Sequence, residues 1–221
     1  MGVVLITRPQ PGAAETAALV AARGHTSIIA PFLEILYLHP NLPPNASACV
    51  ITSANAVHAV PPNIPVFAVG DATAAKAREV TQSPVYSAAA DAVALAALIA
   101  QTLTPAAGAL LLLSGHGQGL TLAADLRTRG FRVIRRAAYT ARPRHSFPAE
   151  ALTPAITVIL FFSPETARAF ARLIPPLALP ALAKITALTL SPAITRNLAH
   201  LPWQSIKTAE HPSQEALLKL L

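Results

Sequence analysis

The chain has 221 residues, enough for one large domain or two small ones with buried cores. Hydrophobic residues make up 53% of the sequence, yet apolar runs such as Ala92–Ala100 are too short to span a bilayer. The formal net charge of +7 favours anionic partners, and the single cysteine, Cys49, excludes a disulfide within the chain.

Short apolar runs alternate with alanine-rich segments along most of the chain. This alternation is typical of α/β domains built on parallel sheets. The predicted strands are Val3–Thr7, Thr26–Ile29, Cys49–Thr52, Val66–Val69, Val85–Ser87, Ala109–Leu113, Arg132–Tyr139, Thr157–Phe162, Ile185–Leu190 and Ser205–Thr208. The predicted helices are Ala13–Arg23, Ala72–Val80, Ala90–Thr102, Leu120–Arg129, Pro164–Leu173, Ala193–Leu201 and Ser213–Leu220.

Two extended, proline-containing stretches, Pro31–Asn45 and Val133–Pro148, interrupt this alternation. They predict that the middle of the chain forms one domain inserted into another. The predicted parts are a discontinuous domain over 1–35 and 146–221, an inserted domain over 45–133, and linkers over 36–44 and 134–145. A cleft between the domains, facing the carboxyl ends of the strands, is the expected ligand site.

Four of the apolar runs stop at a small residue directly before a helix-like segment. These residues are Ser53, Gly70, Ser163 and Ser191. At such a junction the first helical N–H groups are unpaired and the helix dipole presents its positive end, which favours anion binding. Several such turns together predict a ligand with several negative charges.

The basic residues are concentrated in one region, where seven arginines fall between positions 127 and 144. Such a cluster attracts nucleic acid, a membrane surface or a polyanionic small molecule, or else forms a solvated face. Nucleic acid is disfavoured because the sequence has no zinc-ligand spacing, helix-turn-helix pattern or interleaved aromatic platform. No membrane partner is expected either.

Cys49 lies inside an apolar run, which indicates a buried strand thiol rather than a nucleophile. Residues 1–10 predict a first strand and lack the pattern of a secretory signal. Both observations favour the cytoplasm as the compartment.

The order of several short motifs resembles that of uroporphyrinogen-III synthases. The motifs are Val4-Leu5-Ile6-Thr7-Arg8-Pro9, Thr52-Ser53-Ala54-Asn55-Ala56-Val57, Ala68-Val69-Gly70-Asp71-Ala72-Thr73-Ala74, Leu126 to Gly130 leading to Tyr139, and Phe161-Phe162-Ser163-Pro164. Each motif alone is weak, but together they cover essentially the whole chain in order.

The resemblance implies two α/β domains joined by a pair of extended linkers. It also implies a hydro-lyase that closes hydroxymethylbilane, a linear tetrapyrrole with many carboxylate arms, to uroporphyrinogen III with inversion of ring D and loss of water. In the family the pyrrole nitrogens supply the electrons for this step, so neither a metal nor a cofactor is expected. A monomer is expected, and transient contact with neighbouring pathway enzymes is left open.

Tyr139 is the residue that the resemblance assigns as an assisting acid, because a phenol, which is neutral at physiological pH, can donate a proton to the departing hydroxyl or orient the leaving oxygen. The alternative is a linker tyrosine whose ring packs and whose hydroxyl is solvated.

The resemblance and the turn pattern together assign the substrate-binding residues. In the inserted domain these are Ser53, Ala54, Asn55, Thr73 and Ser114, and in the other domain Thr7, Arg8, Ser163, Ser191 and Ala193. The alternative for the serines is ordinary helix capping, which exposes the same amides.

The sequence departs from the family pattern at two places. Ile194 stands where a threonine is expected, and the loop after Leu113 lacks the arginine that many relatives carry. In that loop His116 either replaces the lost charge or is simply solvated, and the glycines around it favour an anion-binding nest. These departures motivate an alternative function, a catalytically degenerate relative that binds a tetrapyrrole or another polyanion.

Overall fold

The computed structural model of the protein describes residues 2–221 and divides the chain into two compact units. Unit 1 comprises Met1–Glu34 and Arg142–Leu221, and unit 2 comprises Ile35–Ala141. The first residue of the predicted 1–35 segment lies outside the described residues. The predicted linker boundaries, 36–44 and 134–145, stay a prediction.

The described residues form strands and helices that alternate along the chain. The strands are β1 Val3–Ile6, β2 Thr26–Ile29, β3 Leu33–Tyr37, β4 Ala46–Ile51, β5 Val66–Ala68, β6 Val85–Ser87, β7 Ala109–Gly115, β8 Val133–Pro143, β9 Ile156–Phe161, β10 Thr186–Thr189 and β11 Ser205–Thr208. The α-helices are α1 Gly12–Ala21, α2 Asp71–Arg78, α3 Ala92–Thr102, α4 Leu120–Thr128, α5 Pro164–Leu173, α6 Pro192–Leu198 and α7 Gln214–Leu218. Within residues 2–221, no helix is both long and apolar enough to cross a membrane.

Unit 1 is built on a five-stranded parallel sheet in the order β11-β10-β9-β1-β2. Successive residues of a strand face opposite sides of the sheet, so both faces must be covered when both are apolar. On one face Leu5 and Phe161 belong to a cluster with α5 and α6, and on the other Val4, Ile6 and Leu188 belong to a cluster with α1 and α7. This two-sided burial explains why β1, β9 and β10 are nearly continuous apolar runs.

Unit 2 is built on a six-stranded sheet in the order β3-β8-β7-β4-β5-β6. The pairs β8-β7, β7-β4, β4-β5 and β5-β6 are parallel. Strand β7 is buried along its whole length, with Leu110 and Leu112 in one apolar cluster and Leu111 and Leu113 in the other. It therefore forms the centre of the unit.

The predicted fold class, α/β with two largely parallel sheets, is confirmed, and α5 has the bounds that were predicted for it. Four 3₁₀ helices were not predicted: Ala54–Ala59, Pro105–Ala107, Ala149–Leu152 and Pro176–Lys184. They are short or proline-containing, and so carry no 3.6-residue apolar pattern from which to predict a helix. Strand β8 also extends four residues beyond the predicted end at Tyr139, to Pro143.

Candidate functional site

In unit 2 the predicted site residues lie at the carboxyl ends of neighbouring strands. Ser53 follows β4, Gly70 follows β5, and Gly115 is the last residue of β7. Tyr139 is the β8 partner of Gly115 in the strand register. Because β8, β7, β4 and β5 are consecutive and parallel, these residues share one edge of the sheet, the edge at which open α/β sheets bind ligands.

Unit 1 has the same arrangement at the carboxyl edge of its own sheet. Thr7 and Arg8 follow β1, Ser163 follows β9 and Ser191 follows β10. Strands β10, β9 and β1 are adjacent and parallel. Each unit therefore gathers its predicted turns at one sheet edge rather than scattering them over its surface.

Tyr139 is held by contacts with the loop that follows β7. Only 6% of the residue is exposed, and its ring belongs to the apolar cluster that includes Leu111. The hydroxyl donates a hydrogen bond of 3.1 Å to Gln118 Oε1. A side chain at Gly115 would place its Cβ 2.8 Å from the Gln118 side chain and 3.0 Å from the Tyr139 ring. Gly115 thus leaves the space in which Gln118 and Tyr139 meet.

The loop over residues 115–119 is shaped by its glycines and by two donors to one carbonyl. Gly117 and Gly119 have φ values of 74° and 76°, a region that favours glycine. The Gln118 carbonyl oxygen accepts from Ser114 Oγ at 3.1 Å and from Arg135 Nη2 at 2.7 Å. Ser114 is 1% exposed, so its hydroxyl is directed to the loop and not to solvent. Its predicted role in substrate binding is then indirect, through the position in which it holds this loop.

The turn after β4 leads into the 3₁₀ helix Ala54–Ala59. Ser53 Oγ accepts from the Asn55 N–H at 3.2 Å, and the Asn55 carbonyl lies 3.1 Å from His58 Nδ1. The amide of Asn55 is therefore already engaged. The predicted carboxylate cradle then depends on the Ala54 amide and on the remaining capacity of the Ser53 hydroxyl.

The turn after β5 leads into α2, and this helix has no side-chain cap. Gly70 is the N-cap residue of α2 and offers no hydrogen-bonding side chain to the first-turn amides. Thr73 lies in that first turn and is 8% exposed. Asp71 is exposed in the same turn, where its carboxylate occupies the favourable end of the helix dipole and opposes a second anion.

In unit 1 the two residues after β1 have different environments. Thr7 is fully buried, and its Oγ1 donates to the Leu160 carbonyl at 2.6 Å, which joins β1 to β9. Arg8 donates to Gln214 Oε1 at 2.8 Å, and its guanidinium carbon lies 4.6 Å from the centre of the Phe162 ring. Thr7 therefore has a structural role, whereas the guanidinium of Arg8 is a positive charge at the edge of the sheet.

The two serine turns of unit 1 also differ. Ser163 Oγ accepts from the Thr166 N–H at 3.1 Å and so caps α5. Ser191 is the N-cap residue of α6 but makes no side-chain capping bond. Thr195, the hydroxyl that follows Ile194 in the sequence, bonds to Thr189 and Thr208 instead. This turn consequently offers the Ser191 hydroxyl and the partly exposed Ala193, and no threonine hydroxyl.

Burial changes two ionisable groups. It lowers the pKa of Arg8, against the opposing effect of Glu15, although an arginine stays protonated at neutral pH. It raises the pKa of Cys49 to about 12, so the thiolate is suppressed and the thiol behaves as a core group. Among residues 2–221, no cluster of His, Cys, Asp or Glu side chains is arranged to hold a metal ion.

Three residues of these edges, Gln118, Arg135 and Gln214, were not predicted as site residues. Gln118 lies in the loop after β7, and Tyr139 lies in the neighbouring parallel strand β8, so their contact depends on strand pairing and loop conformation that the sequence does not reveal. Arg135 was visible only as a member of the arginine cluster. No sequence signal indicated Gln214, which is 206 positions from Arg8.

Known proteins resemble this chain in sequence pattern and in fold. Residues 14–219 match the family model described as uroporphyrinogen-III synthase HemD. The fold is similar to the crystal structure of uroporphyrinogen-III synthetase from Helicobacter pylori 26695, with 18% identity, a TM-score of 0.63, and coverage of 100% of this chain and 98% of that one. A mutant uroporphyrinogen III synthase from Thermus thermophilus also matches, with 16% identity, a TM-score of 0.49, and coverage of 100% and 97%. No curated protein matches the sequence.

Proposed function

The chain belongs to the uroporphyrinogen-III synthase family, and we propose that the turns at its two sheet edges bind the carboxylates of its substrate. The enzyme is a cyclising lyase of heme biosynthesis, which converts hydroxymethylbilane to uroporphyrinogen III with loss of water and inversion of ring D.

The observation that carries the proposal is the order of strands in unit 2. Tyr139 lies within β8, and the loop 115–119, the Ser53 turn and the Gly70 turn follow β7, β4 and β5, so the four features belong to four consecutive strands of one sheet. A tetrapyrrole carries its carboxylates around its rim, so a row of anion-binding turns matches it better than a single deep pocket does. Main-chain amides can bind such groups without the burial of unpaired cations.

We assign Tyr139 the role of assisting acid. Its hydroxyl donates to Gln118 Oε1, so the phenol is held in one orientation before substrate arrives. A half-turn of the Gln118 amide presents N–H to the phenol oxygen and frees the phenol proton for the departing hydroxyl of the substrate. When it gives up this proton, the substrate oxygen leaves as water and Tyr139 becomes a phenolate, which the Gln118 N–H stabilises until the proton released by the pyrrole on ring closure restores the phenol.

Orientation of the substrate supplies most of the catalysis in this proposal. Productive positioning of reacting groups is worth up to about 7–11 kcal/mol in favourable cases. The net charge of +7 attracts the polyanionic substrate before the turns engage it. In unit 1, Arg8, the Ser163 and Ser191 turns and Ala193 contribute in the same way.

Two further statements rest on the sequence alone. We propose a cytoplasmic enzyme, because the one cysteine lies in an apolar strand run and no disulfide within the chain is possible, as is usual in a reducing compartment. We also propose a monomer that meets neighbouring pathway enzymes only transiently.

The test of the function is an isomer assay. The purified protein is given hydroxymethylbilane, the products are oxidised to porphyrins, and the type I and type III isomers are separated by chromatography. We expect type III, formed faster than the type I product of a reaction without enzyme. Type I alone, at the uncatalysed rate, would defeat the proposal, and tight uroporphyrin binding without turnover would favour the degenerate relative.

A further inference from the structure

We propose that the pocket beside residues 115–119 binds one carboxylate of the substrate through Arg135, and that Gln118 links this event to Tyr139. The inference rests on the proposed function and names a binding residue that supplies charge to a loop without an arginine of its own. The pocket lies wholly within unit 2.

The pocket is small and has a cationic lining. Its volume is about 350 Å³. Its lining includes Gly115, His116, Gly117, Leu120, Arg135 and Arg136, and no acidic side chain. Such a volume accommodates a short carboxylate arm and its first waters, but not a whole tetrapyrrole. The pocket therefore fits one arm of a substrate whose rings lie outside it.

Arg135 has unused hydrogen-bonding capacity at this site. One Nη2 donor is engaged by the Gln118 carbonyl at 2.7 Å. The buried Nε has no hydrogen-bond partner among residues 2–221. A guanidinium presents five donors in a planar fork and pairs with a carboxylate through two parallel bonds. An incoming carboxylate would give this fork the anionic partner that the surrounding protein does not supply.

Arg136 holds a second positive charge in the same lining. Its Nε donates to the Asn41 carbonyl at 2.8 Å and its Nη1 to the Arg135 carbonyl at 3.0 Å. These bonds to neutral acceptors fix the side chain and leave its charge uncompensated. The pocket thus offers two cations to one anion.

Other arginines of the same cluster are neutralised by carboxylates. Arg129 pairs with Asp125 at 2.9 Å, and Arg144 pairs with Glu34 at 3.6 Å. Within the described part of the chain, no carboxylate lies within ion-pair distance of Arg135 or Arg136. Among the members of the cluster without an ion pair, Arg135 and Arg136 are the two that line the pocket, whereas Arg127, Arg132 and Arg142 lie outside its lining.

Gln118 connects the pocket to the phenol because its two ends have different partners. Its main-chain oxygen accepts from Arg135, and its side-chain oxygen accepts from Tyr139. A carboxylate that binds the Arg135 guanidinium changes the hydrogen bond between Arg135 Nη2 and the Gln118 carbonyl oxygen. Binding of one arm in this pocket thereby adjusts the position of the amide that orients the catalytic hydroxyl.

The test compares Arg135→Ala with Arg132→Ala in otherwise intact enzyme. Both variants lose one positive charge, but Arg132 is exposed and lies outside the pocket lining. Since hydrogen bonds to charged groups contribute more than neutral ones, we expect Arg135→Ala to raise KM for hydroxymethylbilane about tenfold or more and to lower kcat as well. Arg132→Ala should change both by no more than about twofold. Equal effects of the two variants on KM would overturn the proposal.

A second variant and a binding measurement separate this inference from the function itself. Arg135→Lys keeps the charge but loses the fork, so we expect it to recover only part of the lost affinity. Uroporphyrin III, titrated by its own fluorescence, reports binding without turnover, and its Kd should rise for Arg135→Ala but not for Arg132→Ala. If the wild type makes only the type I isomer, the function fails whatever the titration gives. If it makes type III while all variants bind alike, this inference alone fails.

Discussion

The carboxyl edges of the two sheets use the same kinds of residue in different ways. At the edge of unit 1, Thr7 and Ser163 direct their hydroxyls to groups of the protein, and Arg8 is bonded to Gln214. At the edge of unit 2, Tyr139 and Arg135 meet at Gln118, beside a pocket with no acidic lining. At the edge of unit 1, most polar side chains are thus already hydrogen-bonded within the protein, with main-chain amides around them. At the edge of unit 2, the Nε donor of Arg135 remains without a partner among the described residues.

This difference suggests that the two edges make different contributions. A satisfied edge binds with little reorganisation and contributes mainly to affinity and stability. An edge with unpaired donors changes when the ligand arrives, so substitutions there should affect turnover. We therefore expect changes in unit 2 to act on kcat and changes in unit 1 to act on affinity and unfolding free energy.

The largest effect is expected for Tyr139→Phe. Loss of the phenol removes the donor to the leaving oxygen, and we expect kcat to fall about ten- to a hundredfold, near the low end of general acid catalysis. Affinity for uroporphyrin should change little, because the ring still packs in its apolar cluster. Tyr86→Phe is the matched control, since Tyr86 lies in β6 and stacks on Phe67. An unchanged kcat would remove Tyr139 from the reaction.

A smaller effect on the same quantity is expected for Gln118→Ala. The phenol keeps its proton but loses the acceptor that orients it, so kcat should fall severalfold rather than a hundredfold. Combined with Tyr139→Phe, the second substitution should add almost nothing, because the two residues act through one hydrogen bond. Strictly additive effects in this double-mutant cycle would show that Gln118 acts independently of Tyr139.

The strands were largely predictable from the sequence, because a parallel strand buried on both faces reads as an uninterrupted apolar run. Leu110–Leu113 in β7 is the clearest example. The turns at Ser163 and Ser191 were predictable for a similar reason, since a small hydroxyl followed by proline begins a helix. The sequence order of these motifs also indicated the family.

The directions of individual hydroxyls were not predictable. Thr7 follows β1 and Ser114 is the next-to-last residue of β7, close to strand ends like Ser53 and Ser163, yet both are buried and bond to main-chain carbonyls. Whether a strand-end hydroxyl faces solvent depends on the neighbouring strand, and hence on a register set by tertiary pairing. The contact of Gln118 with Tyr139 likewise depends on tertiary pairing, because the two residues belong to the loop after β7 and to the neighbouring strand β8.

An intermediate effect, on stability, is expected for Thr7→Val in unit 1. The substitution removes a buried donor and leaves the Leu160 carbonyl without it, which should lower the unfolding free energy by about 1–3 kcal/mol. The chain has one tryptophan and one cysteine. Trp203 stacks on Phe170 in unit 1, and Cys49 lies buried in unit 2. Each unit therefore has its own spectroscopic or chemical probe.

These probes make the Thr7 prediction specific to one unit. We expect the urea midpoint from Trp203 fluorescence to fall, and the midpoint from Cys49 alkylation to move less. Alkylation at pH 8 reports opening of unit 2, because burial raises the pKa of Cys49 to about 12 and leaves almost no thiolate in the folded state. The same shift predicts that the stability from burying this thiol is present below pH 9 and is lost as the pH rises towards 12. Equal shifts of both midpoints would contradict separate responses of the units.

The smallest effects are expected from a matched pair within unit 1, Ser163→Ala and Ser191→Ala. Ser163 caps α5 through the Thr166 amide, so its loss should cost about 1 kcal/mol of unfolding free energy. Ser191 makes no capping bond, so its loss should leave stability nearly unchanged. Because the Ser191 hydroxyl is free to bind the substrate, Ser191→Ala should raise KM more than Ser163→Ala does. If Ser191→Ala instead lowers the unfolding free energy more than Ser163→Ala does, and Ser163→Ala raises KM more, then the uncapped Ser191 hydroxyl is not a ligand contact. The proposed difference between the two serine turns would then be wrong.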